Sequence, residues 1–430
     1  MNCLDADIQG LLQPRSTFMQ GVYQGLTITS AFQPIYSLAH RRAVGYEGLM
    51  RVQNVQGEGI SPLAAFAGMQ TKEDIVVLDR LSRAIHCANF SEQGIQRAWL
   101  FLNVNPYVAV HGRTHGPFFT AILQQFQLDP SQIVVEIVED QIRDEGLLSD
   151  AVSFYKALGC LVAIDDFGTG ESNFDRIWRL RPDIVKLDQN FIKHAASNQT
   201  INRIVPDIVR LLHETGSLVV MEGIESEQEA LIAQDAEVDL VQGYFFARPQ
   251  ARAQVDPLYG LFDTLKQASV RIGKSTRQQY DIWMAPYLQA FNYFRVSFVN
   301  GIEATSACLH FLSLPDARRC YVLDDGGCQL GANMLPGTDG HKRDQRFLSM
   351  TDGEDACWAH RHYYRRAVAA PGEVQVSRPY LSISDGTLCI TLSVAVYLEA
   401  KLYVLCGDIA WQGGFEAKQF GVSHVVDAAD

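Results

Sequence analysis

The chain has 430 residues, 47% of them hydrophobic and 20% charged, with a formal net charge of -13. That length exceeds one ordinary core and predicts two or three soluble domains. The acidic balance excludes general adhesion to nucleic-acid polymers or anionic membranes, although a few local cations would still admit a phosphate-bearing small molecule.

Residues 1–25 read as a short N-terminal leader that packs on or extends from the first domain. Over 26–255 the chain alternates short apolar strands with amphipathic helices. The strands are "AFQPIYSL" from Ala31, "AVGYEGLMR" from Ala43, "WLFLNVN" from Trp99, "IVVEIVE" from Ile133, "LVAIDD" from Leu161, "DIVKLD" from Asp183, "SLVVMEGI" from Ser217 and "LVQGYFF" from Leu240. Near-continuous apolar strands separated by helices imply a mostly parallel sheet with helices outside, and eight of them suit a barrel. The first two are joined by "AHRRAVG" with no helix, so they form an antiparallel hairpin. The predicted fold class is therefore α/β, a modified TIM (β/α)8 barrel with an antiparallel first strand.

Residues 256–312 predict a helical linker whose aromatic positions bury one face. Residues 313–430 predict an α+β domain, beginning with a hairpin turned by Asp324-Asp325-Gly326-Gly327 and ending in three or four antiparallel strands. Nine scattered cysteines make no metal-ligand spacing and are odd in number, which fits reduced thiols. No apolar run approaches the about 20 residues that span a bilayer, and no signal-peptide h-region opens the chain, so the expected address is cytoplasmic.

"DDFGTG" puts Asp165 and Asp166 side by side at the end of a buried strand. Two such carboxylates repel and lose solvation, which calls for a compensating cation, unless the pair merely starts a polar loop. On a parallel barrel, ligands sit at the C-terminal strand ends. Those ends carry Glu47, Asn103, Glu136, Asp165 with Asp166, Lys186, Glu222 and Gln242. Singly, each is an ordinary solvated residue; together, five carboxylates in one cleft demand cations. Oxygen ligands without His or Cys select Mg2+ or Mn2+, and two ions sharing one aspartate would use the whole set for attack on phosphorus. Lys186 would orient or deprotonate the attacking water.

The motifs "QPIYSL", "YEGLMR", "NVNP", "VEIVED", "DDFGTG", "VKLD", "MEGIE" and "QGYFFARP" resemble the EAL domain family, bacterial phosphodiesterases that open cyclic di-GMP to linear pGpG. The signature triplet reads Glu47-Gly48-Leu49 here, with glycine for the family's alanine. The resemblance implies one metal on Glu47, Asn103, Glu136 and Asp165, and a second on Asp165, Asp166 and Glu222. It implies Lys186 and Gln242 at the attacking water and the cleaved phosphate. Gln33, Arg51 and Asp188 would meet the substrate, and Glu139 would steady the loop after the aspartates. Glu171 departs from the family pattern in that loop, where Gly168 and Gly170 supply backbone freedom.

From about Tyr363 to Trp411 the sequence resembles a Cache or PAS-like sensor domain, which would make Tyr364, Arg366, Tyr380 and Asp408 ligand candidates. The other reading is a dimerisation or scaffold module of a homodimer, with no ligand. Two functions stay open: a metal-dependent cyclic di-GMP phosphodiesterase regulated by its C-terminal domain, or a receptor that binds cyclic di-GMP without hydrolysing it.

Overall fold

The apolar runs become the strands of a closed barrel. The computed structural model describes residues 6–15, 18–95, 97–111, 118–138, 144–168, 174–253, 258–337, 353, 356–384 and 386–411. Two compact units divide the chain, residues 1–269 and 270–430.

In the first unit, β1 (Leu12–Arg15) and β2 (Phe18–Tyr23) lead antiparallel into β3 (Leu26–Ser37) and β4 (Arg42–Gln53), with the short β5 (Gly59–Ile60) on the far edge of β4. The parallel strands follow: β6 (Trp99–Val104), β7 (Ile133–Val138), β8 (Leu161–Phe167), β9 (Ile184–Leu187), β10 (Leu218–Met221) and β11 (Leu240–Val241). Pairing runs β3-β11-β10-β9-β8-β7-β6-β4 and closes through β3 and β4, giving eight barrel strands. Strand β3 is antiparallel to both neighbours, as the helix-free "AHRRAVG" connection requires. Both β3 and β4 run longer than their apolar motifs because their outer ends pair with β2 and β5.

A helix at Lys72–Glu92 shows how the outer layer is specified. Thr71 and Asp74 close a capping box at its start, and Leu78, Leu81 and Ile85 bury one face.

The barrel interior has a distinct layer. Ile35, Phe101, Val134, Ala163, Ile184, Val220 and Leu240, one from each of seven strands, form an enclosed apolar cluster. The remaining strand contributes Gly45, where a Cβ would stand 2.6 Å from the Phe101 ring. A bulky Phe101 thus fills the space that β4 leaves empty. Because strand side chains alternate with period two, the residue two places onward in each parallel strand also faces inward, one layer nearer the strand ends.

The helix Tyr259–Val299 runs for 41 residues. Phe262 and Leu265 join the core of the first unit, whereas Tyr280, Met284, Tyr287, Phe291 and Phe294 join that of the second. The second unit holds β12 (Ala317–Leu323), β13 (Gln329–Met334), β14 (Gln375–Val376), β15 (Tyr380–Leu381), β16 (Leu388–Leu398) and β17 (Lys401–Ala410). They form one antiparallel sheet in the order β13-β12-β17-β16-β14, with β15 also on β16. The aspartates of the β12–β13 hairpin are turn residues: Asp324 Oδ1 accepts from the backbone N–H of Gly326 at 2.9 Å and Cys328 at 2.8 Å. No helix among the described residues is long and apolar enough to cross a membrane.

Candidate functional site

Two residues beyond the apolar layer, the parallel strands and β4 present Glu47, Asn103, Glu136, Asp165, Lys186, Glu222 and Gln242; antiparallel β3 presents Gln33 two residues earlier than Ile35. The period-two rule therefore brings together residues spread over most of the first unit.

Lys186 is the hub. Its Nζ stands 2.5 Å from Glu136 Oε1, 2.6 Å from Glu222 Oε1 and 3.1 Å from Asp165 Oδ1, with only 1% of the side chain exposed. Glu47 is held from both sides, Asn103 Nδ2 donating to Oε1 at 2.8 Å and Gln242 Nε2 to Oε2 at 2.7 Å. Asp166 adopts a left-handed backbone (φ 59), which an L-residue takes up only at a cost, and its N–H donates to Asp165 Oδ1 at 3.0 Å. That conformation turns two successive carboxylates toward one place: oxygens of Asp165, Asp166 and Glu222 lie within 4.8 Å of one another. A glycine keeps the adjoining strand end close, since a Cβ on Gly243 would fall 2.0 Å from the Ile224 carbonyl oxygen.

The electrostatics show a deficit of positive charge. Burial pushes Glu136 well above the ordinary carboxylate range in spite of Lys186. It pushes Glu222 up to about 8. Burial and the neighbouring Asp165 push Asp166 up to about 6. Glu47 is lowered, because Lys186 and the amides of Gln242 and Asn103 outweigh its burial. Burial alone would depress Lys186, but Asp165, Glu136 and Glu222 hold it well above the usual lysine value. Without metal it is thus a firmly charged ammonium, suited to compensating and orienting rather than accepting a proton. Glu136 Oε1 and Glu222 Oε1 share the one Lys186 ammonium, at 2.5 and 2.6 Å, and Glu136 Oε2 is buried with no donor in hydrogen-bond geometry. Buried acceptors left short of donors, in a cluster of converging carboxylates, fit a divalent cation with oxygen ligands.

The remaining candidates are placed as follows. Gln33 Nε2 donates to the Ala247 carbonyl at 3.3 Å. Asp188 caps the helix Gln189–Ser197, its Oδ1 accepting from Asn190 N at 2.7 Å. Arg51 shares the strand face of Glu47, is exposed, and donates to the Met50 carbonyl at 3.2 Å. Glu139, Gly170 and Glu171 lie outside the described residues.

In the second unit, Arg319, Tyr321, Trp358, Arg361, Tyr380 and Asp408 contribute to the lining of a cleft of about 300 Å3, its solvent-open mouth included. Arg319 Nε donates to Asp408 Oδ2 at 2.7 Å, Thr391 Oγ1 donates to Asp408 Oδ1 at 2.7 Å, and Tyr380 Oη is 2.6 Å from Thr391. Of the four residues singled out there by sequence, Tyr380 and Asp408 meet at this cleft. Tyr364 instead donates to the Asp325 carbonyl at 2.6 Å, and Arg366 to that of Val376 at 3.3 Å. Sequence reasoning missed Arg319, which lines the cleft with Tyr321 from β12 after a register shift that follows Ala317.

A protein-family model described as the EAL domain matches residues 20–249. Among curated proteins, the chain is 28% identical over 194 residues to the probable cyclic di-GMP phosphodiesterase PdeA of Escherichia coli (strain K12), covering 45% of this chain and 26% of that protein. It is 31% identical over 156 residues to the cyclic di-GMP phosphodiesterase RocR of Pseudomonas aeruginosa, covering 35% and 38%. The chain thus spans well under half the length of these relatives. Among solved structures, the Bacillus subtilis YkuI protein, with an EAL domain, in complex with substrate c-di-GMP and calcium, matches at a TM-score of 0.74 and 21% identity, covering 90% of this chain and 96% of that one. That likeness is one of fold, and it extends into the second unit.

Proposed function

The chain belongs to the EAL domain family, and from that premise we propose that its barrel hydrolyses cyclic di-GMP to linear pGpG. The observation that carries the reading is the cluster of Glu47, Asn103, Glu136, Asp165, Asp166 and Glu222 at the strand ends, where Glu136, Asp165 and Glu222 share the one ammonium of Lys186 and oxygens of Asp165, Asp166 and Glu222 converge within 4.8 Å. Mg2+ or Mn2+ is the cofactor proposed. One ion would be held by Glu47, Asn103, Glu136 and Asp165, and a second by Asp165, Asp166 and Glu222. When bound, such ions polarise a phosphoryl oxygen and make water a nucleophile at neutral pH.

The chain's own residues have separable tasks. Asn103 and Gln242 fix the Glu47 carboxylate through both its oxygens, which sets its direction into the cleft. Lys186, within ion-pair distance of Glu136, Asp165 and Glu222, is placed to offer an N–H to an oxygen at the reacting phosphorus or to orient the attacking water. Arg51, charged and exposed on the Glu47 face, suits a bidentate contact to a phosphate, with Gln33 and Asp188 at the nucleotide. Glu139 is proposed to steady the loop that follows Asp166.

With β14 and β15, which both pair with β16, counted as one strand, the second sheet runs 2-1-5-4-3. This order and the cleft support reading the unit as a PAS or Cache-like domain that regulates the barrel. The test is purified full chain with cyclic di-GMP and Mg2+ or Mn2+, with and without chelator, following pGpG by chromatography beside a binding titration. Metal-dependent pGpG is expected. Tight binding without product would overturn hydrolysis in favour of a receptor, and absence of both would overturn the substrate.

A further inference from the structure

Two cysteines of the second unit face each other across a short piece of antiparallel pairing. Cys328 ends the β12–β13 turn, where Asp324 N donates to its carbonyl at 2.9 Å and its own N–H bonds Asp324 Oδ1 at 2.8 Å. Its partner across an isolated antiparallel bridge is Cys357. The flanking bonds define the type of pair: Trp358 N donates to the Gly327 carbonyl at 2.8 Å, and Gln329 N to the Ala356 carbonyl at 2.9 Å. Bonds that bracket a residue pair, rather than joining its members, make it a non-hydrogen-bonded pair, whose Cα atoms stand about 4.5 Å apart with side chains on one face. Disulfides need Cα separations of about 4.4–6.8 Å, so this register brings the two thiols within bonding reach.

Close approach here is built in. Gly327 has φ +78, and a Cβ on it would meet Ala359 Cα at 2.8 Å, so glycine is what lets the two segments pack. Among the described cysteines, accessibility singles out the same pair. Cys357 is exposed and Cys328 partly buried, whereas Cys87, Cys160, Cys308, Cys320, Cys389 and Cys406 are all buried.

We propose that Cys328 and Cys357 form a reversible cross-strand disulfide, a redox modification site on the second unit. The oxidant is a low-molecular-weight disulfide, RSSR. Thiolate Cys357 attacks one sulfur of RSSR, a mixed disulfide forms and RS- leaves. Thiolate Cys328 then attacks the Cys357 sulfur, closing the protein disulfide and expelling the second RS-. The two protein thiols lose two electrons and two protons, and RSSR gains them as two RSH. An exposed cross-strand bond of this kind is open to reduction by the same route, which makes it labile rather than structural.

The bond would act on the cleft beside it. Gln329 follows Cys328 and Trp358 follows Cys357, the two are joined by Trp358 Nε1 donating to Gln329 Oε1 at 3.1 Å, and both line the cleft. Arg361, whose N–H bonds the Trp358 carbonyl at 2.8 Å, stacks 4.4 Å over Tyr380 on the same wall. Oxidation would fasten the segment carrying Trp358 to the hairpin carrying Gln329.

The experiment uses the full chain in glutathione buffers of stepped oxidised-to-reduced ratio, acid-quenched, alkylated, digested without reduction and analysed by mass spectrometry. The expected result is a linked Cys328–Cys357 peptide that rises to most of the protein in oxidising buffer and disappears in reducing buffer. In Cys328→Ser, glutathione should accumulate on Cys357; in Cys357→Ser, neither the linked peptide nor a glutathione adduct should form at this site. The proposal is overturned if wild type carries as much glutathione on Cys357 as Cys328→Ser and no linked peptide. Preferential pairing of Cys357 with any other cysteine would overturn it equally.

Discussion

A Cβ on Gly48 would sit 3.0 Å from Cγ of His86. His86 comes from the helix Lys72–Glu92 and is buried, its Nδ1 2.8 Å from Ser30 Oγ and its Nε2 3.1 Å from Ser82 Oγ. The departure from the family triplet is thus half of a pair: an imidazole ring borders the space that an alanine methyl would enter.

Gly48→Ala tests that pair. Removing a glycine from a strand lowers unfolded-state entropy and stabilises by about 0.4–1 kcal/mol where the site accepts a methyl. Overpacking a pinned neighbour costs about 1–3 kcal/mol, and His86 is held at both nitrogens, so the net effect is destabilising. Urea denaturation should show a loss of about 1–2 kcal/mol, with turnover per folded molecule little changed. Paired with His86→Ala, the same substitution should cost less than it does alone. Full additivity would mean the two residues do not share the space.

His86 also sets a pH dependence. Burial pushes its imidazole from 6.5 down to about 3, with Glu47 pulling it up and Arg51 pushing it further down. A folded value below the unfolded one means that the neutral ring's contribution is complete above about 6.5 and is lost as pH falls toward 3. At pH 5 the gap to 6.5 is about 1.5 units, or about 2 kcal/mol. Wild type should lose about that much more stability between pH 7 and pH 5 than His86→Gln, which has no proton to gain. Parallel stability curves for the two proteins would show that the ring is solvated.

The contrast between what the sequence disclosed and what it hid has a physical basis. Glu47, Asn103, Glu136, Asp165, Lys186, Glu222 and Gln242 were legible because parallel strands put polar residues at one end of a barrel, and period two fixes which of them face inward. The Gly48–His86 pair was not, since nothing local ties a strand glycine to a helix histidine. Arg319 stayed hidden because "RRC" offers two arginines, and only pairing of Arg319 with Asp408 across β12 and β17 selects one. Cys328 and Cys357 looked like two of nine scattered thiols until the bridge register joined them.

Replacing Lys186 with methionine removes the cation among Glu136, Asp165 and Glu222. Breaking a buried charge cluster by deleting one partner costs about 3–5 kcal/mol. A divalent ion held by the same carboxylates would supply the lost charge, so Mn2+ should raise the melting temperature of Lys186→Met by more than it raises that of wild type. Turnover should fall by about 100-fold or more even at saturating metal, since the N–H toward the reacting phosphate is gone. Equal metal-induced shifts in the two proteins would remove Lys186 from the charge balance of the site.

Gln242 has two candidate tasks, which one substitution separates. Its Nε2 donates to Glu47 Oε2 at 2.7 Å, which makes it an orienting residue for that carboxylate. The family resemblance instead puts it at the attacking water and the cleaved phosphate. Partners that orient a metal-binding side chain typically contribute about 10–100-fold in metal affinity. If orientation of Glu47 is the whole task, Gln242→Ala should need about 10–100-fold more Mn2+ for half-maximal activity and recover most of its kcat once metal saturates. Asn103 Nδ2 would still hold the other oxygen at 2.8 Å, which is why recovery is expected. A kcat that stays low at saturating metal means that the amide acts on the reacting groups themselves. Glu47→Ala and Asp165→Ala are the reference for complete loss, because they delete carboxylates that no neighbour replaces, and turnover should vanish in both at any metal concentration.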